Sequence, residues 1–151
     1  AYLSEIMKIS SNMKIICGGT TALIAERELG LSLEVDMDSM KEDVPPIAYM
    51  EGFDLVTEGV LTLGKTLENI KRLNRSNYEN AIDENDYNGC SLLTKLLIEV
   101  GTHINFYVGS AVNPAHQNPN FPGDFNIKKN IINKLIVELK KAGKKIEVVY
   151  I

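Results

Sequence analysis

Residues 13–30, MKIICGGTTALIAERELG, decide the fold of this chain. The apolar run over residues 13–17 stops at two glycines, and helical spacing follows over residues 20–29. This pattern predicts a strand, a tight turn and a helix. Free backbone amides at such a helix start attract anions, so Gly18-Gly19-Thr20-Thr21 is a candidate binding corner. The structural alternative is that the glycines only reverse the chain and Thr20 only caps the helix.

Composition limits the classes of function. With 151 residues, 44% of them hydrophobic, the chain can bury one core, and we expect a single domain over residues 1–151. A formal net charge of −4 does not supply the basic face that nucleic-acid binding needs. Neither a membrane span nor a leader peptide is visible, and two isolated cysteines suit a reducing compartment, so we expect a cytoplasmic location. A helical start without a preceding strand suggests a piece of a longer protein.

Strands and helices alternate along the sequence. Strands are predicted at residues 13–17, 31–36, within 51–59, at 103–110 and at 146–151, and helices at 1–11, 20–29, 60–73, 91–100 and 126–142. Residues 37–46 are predicted to be an acidic loop and residues 74–89 a mobile insert. The alternation predicts a three-layer α/β fold, in which a mostly parallel sheet of four to five strands carries helices on both faces.

Polar corners that contain glycine follow three of the predicted strands. They are Gly18-Gly19-Thr20-Thr21, Thr57-Glu58-Gly59 and Gly109-Ser110. Because the carboxyl ends of parallel strands meet at one edge of a sheet, we expect the three corners to share a pocket for a small anionic or polar ligand. The loop after the third corner carries Asn113, His116 and Asn118, and it is predicted to cover that pocket.

Several side chains allow more than one interpretation. Glu58 could bind a ligand hydroxyl or ammonium group, or act as a general base, but it could also cap the helix that follows. Asp54 is predicted to be the structural partner of a backbone amide rather than a reactive group. The aromatic residues Tyr78, Tyr87 and Phe121 are either anchors for a partner or ordinary packing residues.

Common catalytic motifs are absent from the sequence. The first corner lacks the lysine of a P-loop and the third glycine of a dinucleotide fingerprint, and residues 109–112 do not form a nucleophile elbow. His103 and His116 show no metal-ligand spacing, so we predict neither a metal nor a cofactor. Cys17 and Cys90 are predicted to be small apolar groups that are buried or half-buried.

Four blocks of the sequence resemble one bacterial family. They are residues 15–22 (IICGGTTA), 44–46 (VPP), 51–63 (EGFDLVTEGVLTL) and 108–120 (VGSAVNPAHQNPN). In this order they are similar to the region that follows the catalytic domain in stage II sporulation protein E-type serine phosphatases. In that family the catalytic domain binds two divalent metals through Asp-Gly motifs and a late Gly-Asp-Asp. These motifs are absent here, where Phe125 follows Asp124.

The resemblance implies that the chain lies carboxy-terminal to a phosphatase domain and has no phosphatase activity of its own. It implies that the chain's own N-terminal phosphatase domain is a partner, and that divalent metal is bound only there. We therefore expect a module that senses a small ligand, with protein–protein interaction or dimerisation as the alternative. A third hypothesis is an enzyme with Glu58 as its base, because the turn at residues 18–21 is similar to the phosphate-binding turn of sugar-phosphate isomerase-like domains.

Overall fold

A computed structural model describes residues 2–8, 12–76, 86–109 and 124–150 of the chain. Its helices are α1 (Tyr2–Met7), α2 (Gly19–Leu29), α3 (Val60–Arg75), α4 (Gly89–Lys95) and α5 (Asp124–Lys141). Its strands are β1 (Ile15–Cys17), β2 (Glu34–Asp36), β3 (Ile47–Tyr49), β4 (Leu55–Thr57), β5 (His103–Val108) and β6 (Lys145–Tyr150). A 3₁₀ turn spans Met37–Ser39, and a π-helical segment over Leu96–Val100 continues α4. The chain is of the mixed α/β class that its sequence predicts.

The strands form two hydrogen-bonded sheets in the described part of the chain. One is four-stranded, with the order β1-β4-β3-β2, and the other is the pair β5-β6. β1 runs parallel to β4, and β5 runs parallel to β6. β3, however, runs antiparallel to both of its neighbours, β2 and β4. The four-stranded sheet is therefore mixed rather than mostly parallel.

The sheet is mixed because of β3, a strand that the sequence analysis did not predict. It follows Pro45 and Pro46 and is only three residues long, which is too short to show an alternating pattern. Its position is fixed by Ser39, whose buried hydroxyl donates to the carbonyl oxygen of Asp36 at 2.7 Å and accepts from the amide of Ile47 at 2.8 Å. The predicted acidic loop is thus a compact connection that returns the chain antiparallel to β2.

The two faces of the four-stranded sheet pack into different hydrophobic clusters. Successive strand residues point to opposite faces, and in β4 Leu55 belongs to one cluster and Val56 to the other. The first cluster contains residues of α3, α4 and α5, among them the fully buried Ile70 and Leu135. The second cluster contains residues of α2, including the fully buried Ala25. Helical residues therefore pack against both faces of this sheet.

Other predicted helices and strands are present in the structure but begin or end at different residues. α2 ends at Gly30, whose φ of 64° is the left-handed conformation typical of a helix stop. The strand predicted over residues 31–36 is confined to β2, and the helix predicted over residues 91–100 is divided between α4 and the π-helical segment. α3 extends to Arg75, into the predicted insert, of which residues 77–85 lie outside the described residues.

Candidate functional site

Gly18 and Gly59 lie in contact at the carboxyl ends of β1 and β4. The amide of Gly18 donates a 2.8 Å hydrogen bond to the carbonyl oxygen of Thr57, and a Cβ atom added to Gly59 would lie 3.5 Å from the Cα of Gly18. Gly18 has a φ of 141°, a conformation that residues with a side chain rarely adopt. Two of the three predicted corners, Gly18-Gly19-Thr20-Thr21 and Thr57-Glu58-Gly59, therefore meet.

Two helices begin at this contact. Gly18 is the N-cap of α2 and Gly59 is the N-cap of α3, and neither cap makes a side-chain hydrogen bond. The predictions that Thr20 or Glu58 caps a helix are therefore wrong, since neither is the N-cap residue. The amides of the first helical turn, such as that of Gly19, have no acceptor within their own helix.

The paired helix starts favour an anion. The N-terminus of a helix carries a partial positive charge that is equivalent to about half an elementary charge. Gly19 has open space beside it, since a Cβ atom added there would meet no described atom within 4 Å beyond its chain neighbours and its own helix backbone. The partly buried hydroxyl groups of Thr20 and Thr21 belong to the same first turn.

Lys128 adds a full positive charge to this corner. Its Nζ atom, on a partly buried side chain of α5, lies 3.4 Å from the position that a Cβ on Gly18 would occupy. The sequence analysis missed this residue, because a lysine in an amphipathic helix is ordinarily on the solvent side. The signal that could have found it is its position near the start of α5, directly after the loop predicted to cover the pocket.

Cys17 lies at the same strand end but is not set up as a nucleophile. Burial raises the pKa of its thiol, and the hydrogen bond with Thr57 and the charge of Lys128 act in the opposite direction without reversing that effect. The thiol is therefore protonated at neutral pH. Cys90, in α4, is buried, and burial raises its pKa as well. Cys17 is half-buried and Cys90 is buried, as predicted for small apolar groups.

Glu58, between Thr57 and Gly59, carries an unused hydrogen-bond acceptor. The hydroxyl of the buried Thr57 donates to the carbonyl oxygen of Glu58 at 2.9 Å. The Oε2 atom of Glu58 is buried and accepts no hydrogen bond from the described residues. Buried polar atoms usually have a partner, so this oxygen can receive a hydrogen bond from a ligand hydroxyl or ammonium group.

The third predicted corner lies largely outside the described residues. Gly109 directly follows β5, and a Cβ atom added to it would meet no described atom within 4 Å. Ser110, Asn113, His116 and Asn118 fall within residues 110–123, which the structure does not describe. β5, which Gly109 follows, belongs to the separate β5-β6 sheet, so the predicted convergence at one sheet edge is observed for two of the three corners.

Other candidate residues have structural roles. As predicted, Asp54 pairs with a backbone amide: its Oδ2 accepts from the amide of Lys14 at 2.7 Å. His103 lies 3.3 Å from the carboxylate of Glu147 on the neighbouring strand, and both side chains are exposed. Tyr87 hydrogen-bonds to Asp36, which favours the packing interpretation of this residue. Tyr78 and Phe121 lie outside the described residues.

Metal-binding and membrane-spanning features are not found in the described ranges. Those residues contain no group of three or more His, Cys, Asp or Glu side chains that could hold a metal ion. Nor do they contain a helix that is long and apolar enough to cross a lipid bilayer.

Two shallow surface depressions lie away from the Gly18–Gly59 corner. One is lined by Leu31, Glu34, Tyr49 and Glu51 beside the edge of the four-stranded sheet. The other is lined by Lys71, Arg75, Glu138 and Lys141 at the carboxyl ends of α3 and α5. Neither contains an unpaired buried polar atom or a helix start, and the Gly18–Gly59 corner remains the better candidate for a ligand.

No protein-family model matches the chain, and no curated protein or solved structure matches it either. The resemblance to the phosphatase family thus rests on the four sequence blocks.

Proposed function

We propose that this chain is a regulatory domain that senses a small anionic or polar ligand at the carboxyl ends of β1 and β4. An anionic group of the ligand binds to the amides that begin α2 and α3 and to the ammonium group of Lys128. The observation that carries the proposal is the contact between Gly18 and Gly59, because it brings two helix N-termini to one point.

The remaining polar groups of the corner indicate which other chemical groups the proposed ligand carries. Glu58 supplies an acceptor for a hydroxyl or ammonium group, and the hydroxyls of Thr20 and Thr21 lie at the anion-binding end. In this proposal Gly109 and Ser110 form the third side of the pocket. Asn113, His116 and Asn118 cover it.

The proposal includes a three-layer architecture with helices on both faces of the sheet. The support is the division of strand residues between two hydrophobic clusters, with Leu55 on the side of α3 and α5 and Val56 on the side of α2. In such α/β folds, ligands bind outside the carboxyl ends of parallel strands, which is where the Gly18–Gly59 corner lies.

The four sequence blocks support a location downstream of a stage II sporulation protein E-type serine phosphatase domain. Ligand binding to this chain would then bias the activity of that neighbouring domain. In this proposal the divalent metals belong to the phosphatase domain, and the protein is cytoplasmic.

A second candidate function is protein–protein interaction or dimerisation. The observation that favours it is the exposure of Val35 in the edge strand β2 and of Met37 and Met40 directly after that strand. A sugar-phosphate isomerase-like enzyme ranks below both. A general base needs a reacting group beside it, and the only structural support for Glu58 as a base is its buried, unpaired Oε2 atom.

A ligand screen tests the proposed function. Thermal shifts are measured with a panel of nucleotides, sugar phosphates and carboxylates, and we expect stabilisation by at least one anion class, because a ligand that binds only the folded state raises its stability. Lys128→Ala should reduce this stabilisation, whereas Lys134→Ala, an exposed lysine further along α5, should not. A flat profile across the whole panel would count against the proposal.

A further inference from the structure

Exposed apolar residues in β2 and the segment after it lie among unpaired negative charges. Val35, Met37 and Met40 are each more than half exposed. They alternate with exposed carboxylates that form no ion pair with a described residue. We call this surface the acidic patch; it consists of Glu34, Val35, Met37, Asp38, Met40 and Glu42. Lys41 is the only cation between residues 34 and 43.

The acidic patch lies at an open edge of the four-stranded sheet. Among the described strands, β2 pairs only with β3, so it is the last strand in the order β1-β4-β3-β2. An edge strand with exposed apolar side chains is a surface on which another chain can dock. Charges along the edge limit the partners that can do so, because a like-charged surface is repelled.

A surface of opposite charge lies on α5 and the start of β6. Lys134, Lys140 and Lys145 are exposed, and none forms an ion pair with a described residue. Val137 lies between the first two and is more than half exposed. The methylene groups of lysine side chains add apolar surface around it. We call Lys134, Val137, Lys140 and Lys145 the basic patch.

The two patches are complementary but occupy different elements of the same molecule. Two charged residues beside the patches form ion pairs within the chain. Asp43, next to the acidic patch, pairs with Lys65 of α3. Lys141, next to the basic patch, pairs with Glu138 of its own helix. The unpaired charges of each patch are thus free to interact with another molecule.

We propose that the chain associates with a second copy of itself head to tail, with the acidic patch of one copy on the basic patch of the next. The contact is heterologous, so each copy keeps one free patch and association can continue beyond a dimer. Apolar contacts between Val35, Met37, Met40 and Val137 supply attraction, and the charges fix which surfaces meet. This interface does not use the Gly18–Gly59 corner.

Sedimentation velocity of the 151-residue chain tests the proposal. At low salt the weight-average mass should rise with concentration above the 16.8 kDa of one chain. Raising the salt from about 0.05 M to about 0.5 M should weaken association on the order of tenfold, because salt screens exposed charges.

Charge reversal identifies the two surfaces. The variant Glu34→Lys/Asp38→Lys/Glu42→Lys and the variant Lys134→Glu/Lys140→Glu/Lys145→Glu should each remain monomeric, and an equimolar mixture of the two should associate again. The control Glu5→Lys/Glu28→Lys/Glu99→Lys has the same net charge as the first variant and should associate like the original chain. Thermal melts verify that all variants fold. If one variant does not fold, the salt dependence of association of the original chain tests the proposal.

Three outcomes would overturn the proposal. The first is a chain that stays monomeric at all concentrations. The second is association that neither patch variant changes. The third is loss of association in the control as well, which would show that net charge rather than the patches is responsible.

Discussion

The hydroxyl group of Tyr87 donates a 2.6 Å hydrogen bond to Oδ2 of Asp36. The hydroxyl of Tyr49 lies within hydrogen-bond distance of the same carboxylate oxygen, at 3.3 Å, and of the Tyr87 hydroxyl, and its single proton is donated to one of the two at a time. Tyr87 precedes α4, whereas Asp36 ends the edge strand β2. This contact therefore ties the start of α4 to the four-stranded sheet.

Tyr87→Phe should reduce stability in a pH-dependent way. The hydrogen bond from Tyr87 is the main reason why the pKa of Asp36 lies below its ordinary value. A carboxyl group whose pKa is lower in the folded state stabilises the fold above its unfolded pKa, about 3.9, and loses this contribution as the pH falls through the folded pKa. Urea unfolding should show the variant less stable than the original at pH 7. An equal difference at pH 7 and at pH 2 would contradict this explanation.

Gly18→Ala should destabilise the fold, whereas Gly19→Ala should be tolerated. Alanine at Gly18 would have to adopt a φ of 141°, and such backbone strain costs about 1–3 kcal/mol. Gly19 has no positive φ and open space around a Cβ, so the change there should stay within about 0.5 kcal/mol. Thermal melts measure both variants. Equal losses at the two positions would show that the turn does not depend on the conformation of Gly18.

Ser39→Ala should weaken the connection that makes the sheet mixed. It removes the acceptor for the buried amide of Ile47, and an unsatisfied buried donor costs about 1–3 kcal/mol. Ser32→Ala, at an exposed serine before β2, is the matched control and should change stability little. Amide hydrogen exchange adds a local measurement: the Ile47 amide should lose protection in the Ser39 variant only. Unchanged protection would contradict the role of Ser39.

Lys128→Ala should weaken anion binding without unfolding the domain. A hydrogen bond to a charged group contributes about 1.5–3 kcal/mol, so the loss of Lys128 should raise the dissociation constant for the anion at least on the order of tenfold. Calorimetric titration with the best anion of the screen measures this effect, and Lys134→Ala serves as the control. An unchanged dissociation constant would show that Lys128 does not bind the anion.

The sequence predicts the elements of this fold better than their arrangement. The unit over residues 13–30 is predictable because an apolar strand, a glycine turn and helical spacing follow one another within a few residues. The role of Asp54 as partner of a backbone amide is predicted correctly, but the partner, the amide of Lys14, lies 40 residues away and was not predicted. The order and direction of the strands depend on contacts between distant residues, and the three-residue β3, fixed by a hydrogen bond between Ser39 and Ile47, carries too little pattern to be seen.

The candidate site, too, could be predicted only in part from the sequence. Two of its corners meet because their strands β1 and β4 are parallel neighbours, which the alternation of strands and helices suggested. Helical spacing could not place Lys128 in the site, because a partly buried lysine near the start of a helix has the same sequence pattern as a solvent-facing one. Only the packing of α5 brings its ammonium group to Gly18.

Titration with inorganic phosphate, followed by amide NMR, tests the central claim most directly. The account predicts that the largest shift changes occur at the amides of Gly19, Thr20 and Thr21 and at the first amides of α3, and that Lys128→Ala reduces them while Lys134→Ala does not. Shift changes confined to other surfaces, or none in the first turns of α2 and α3, would contradict it.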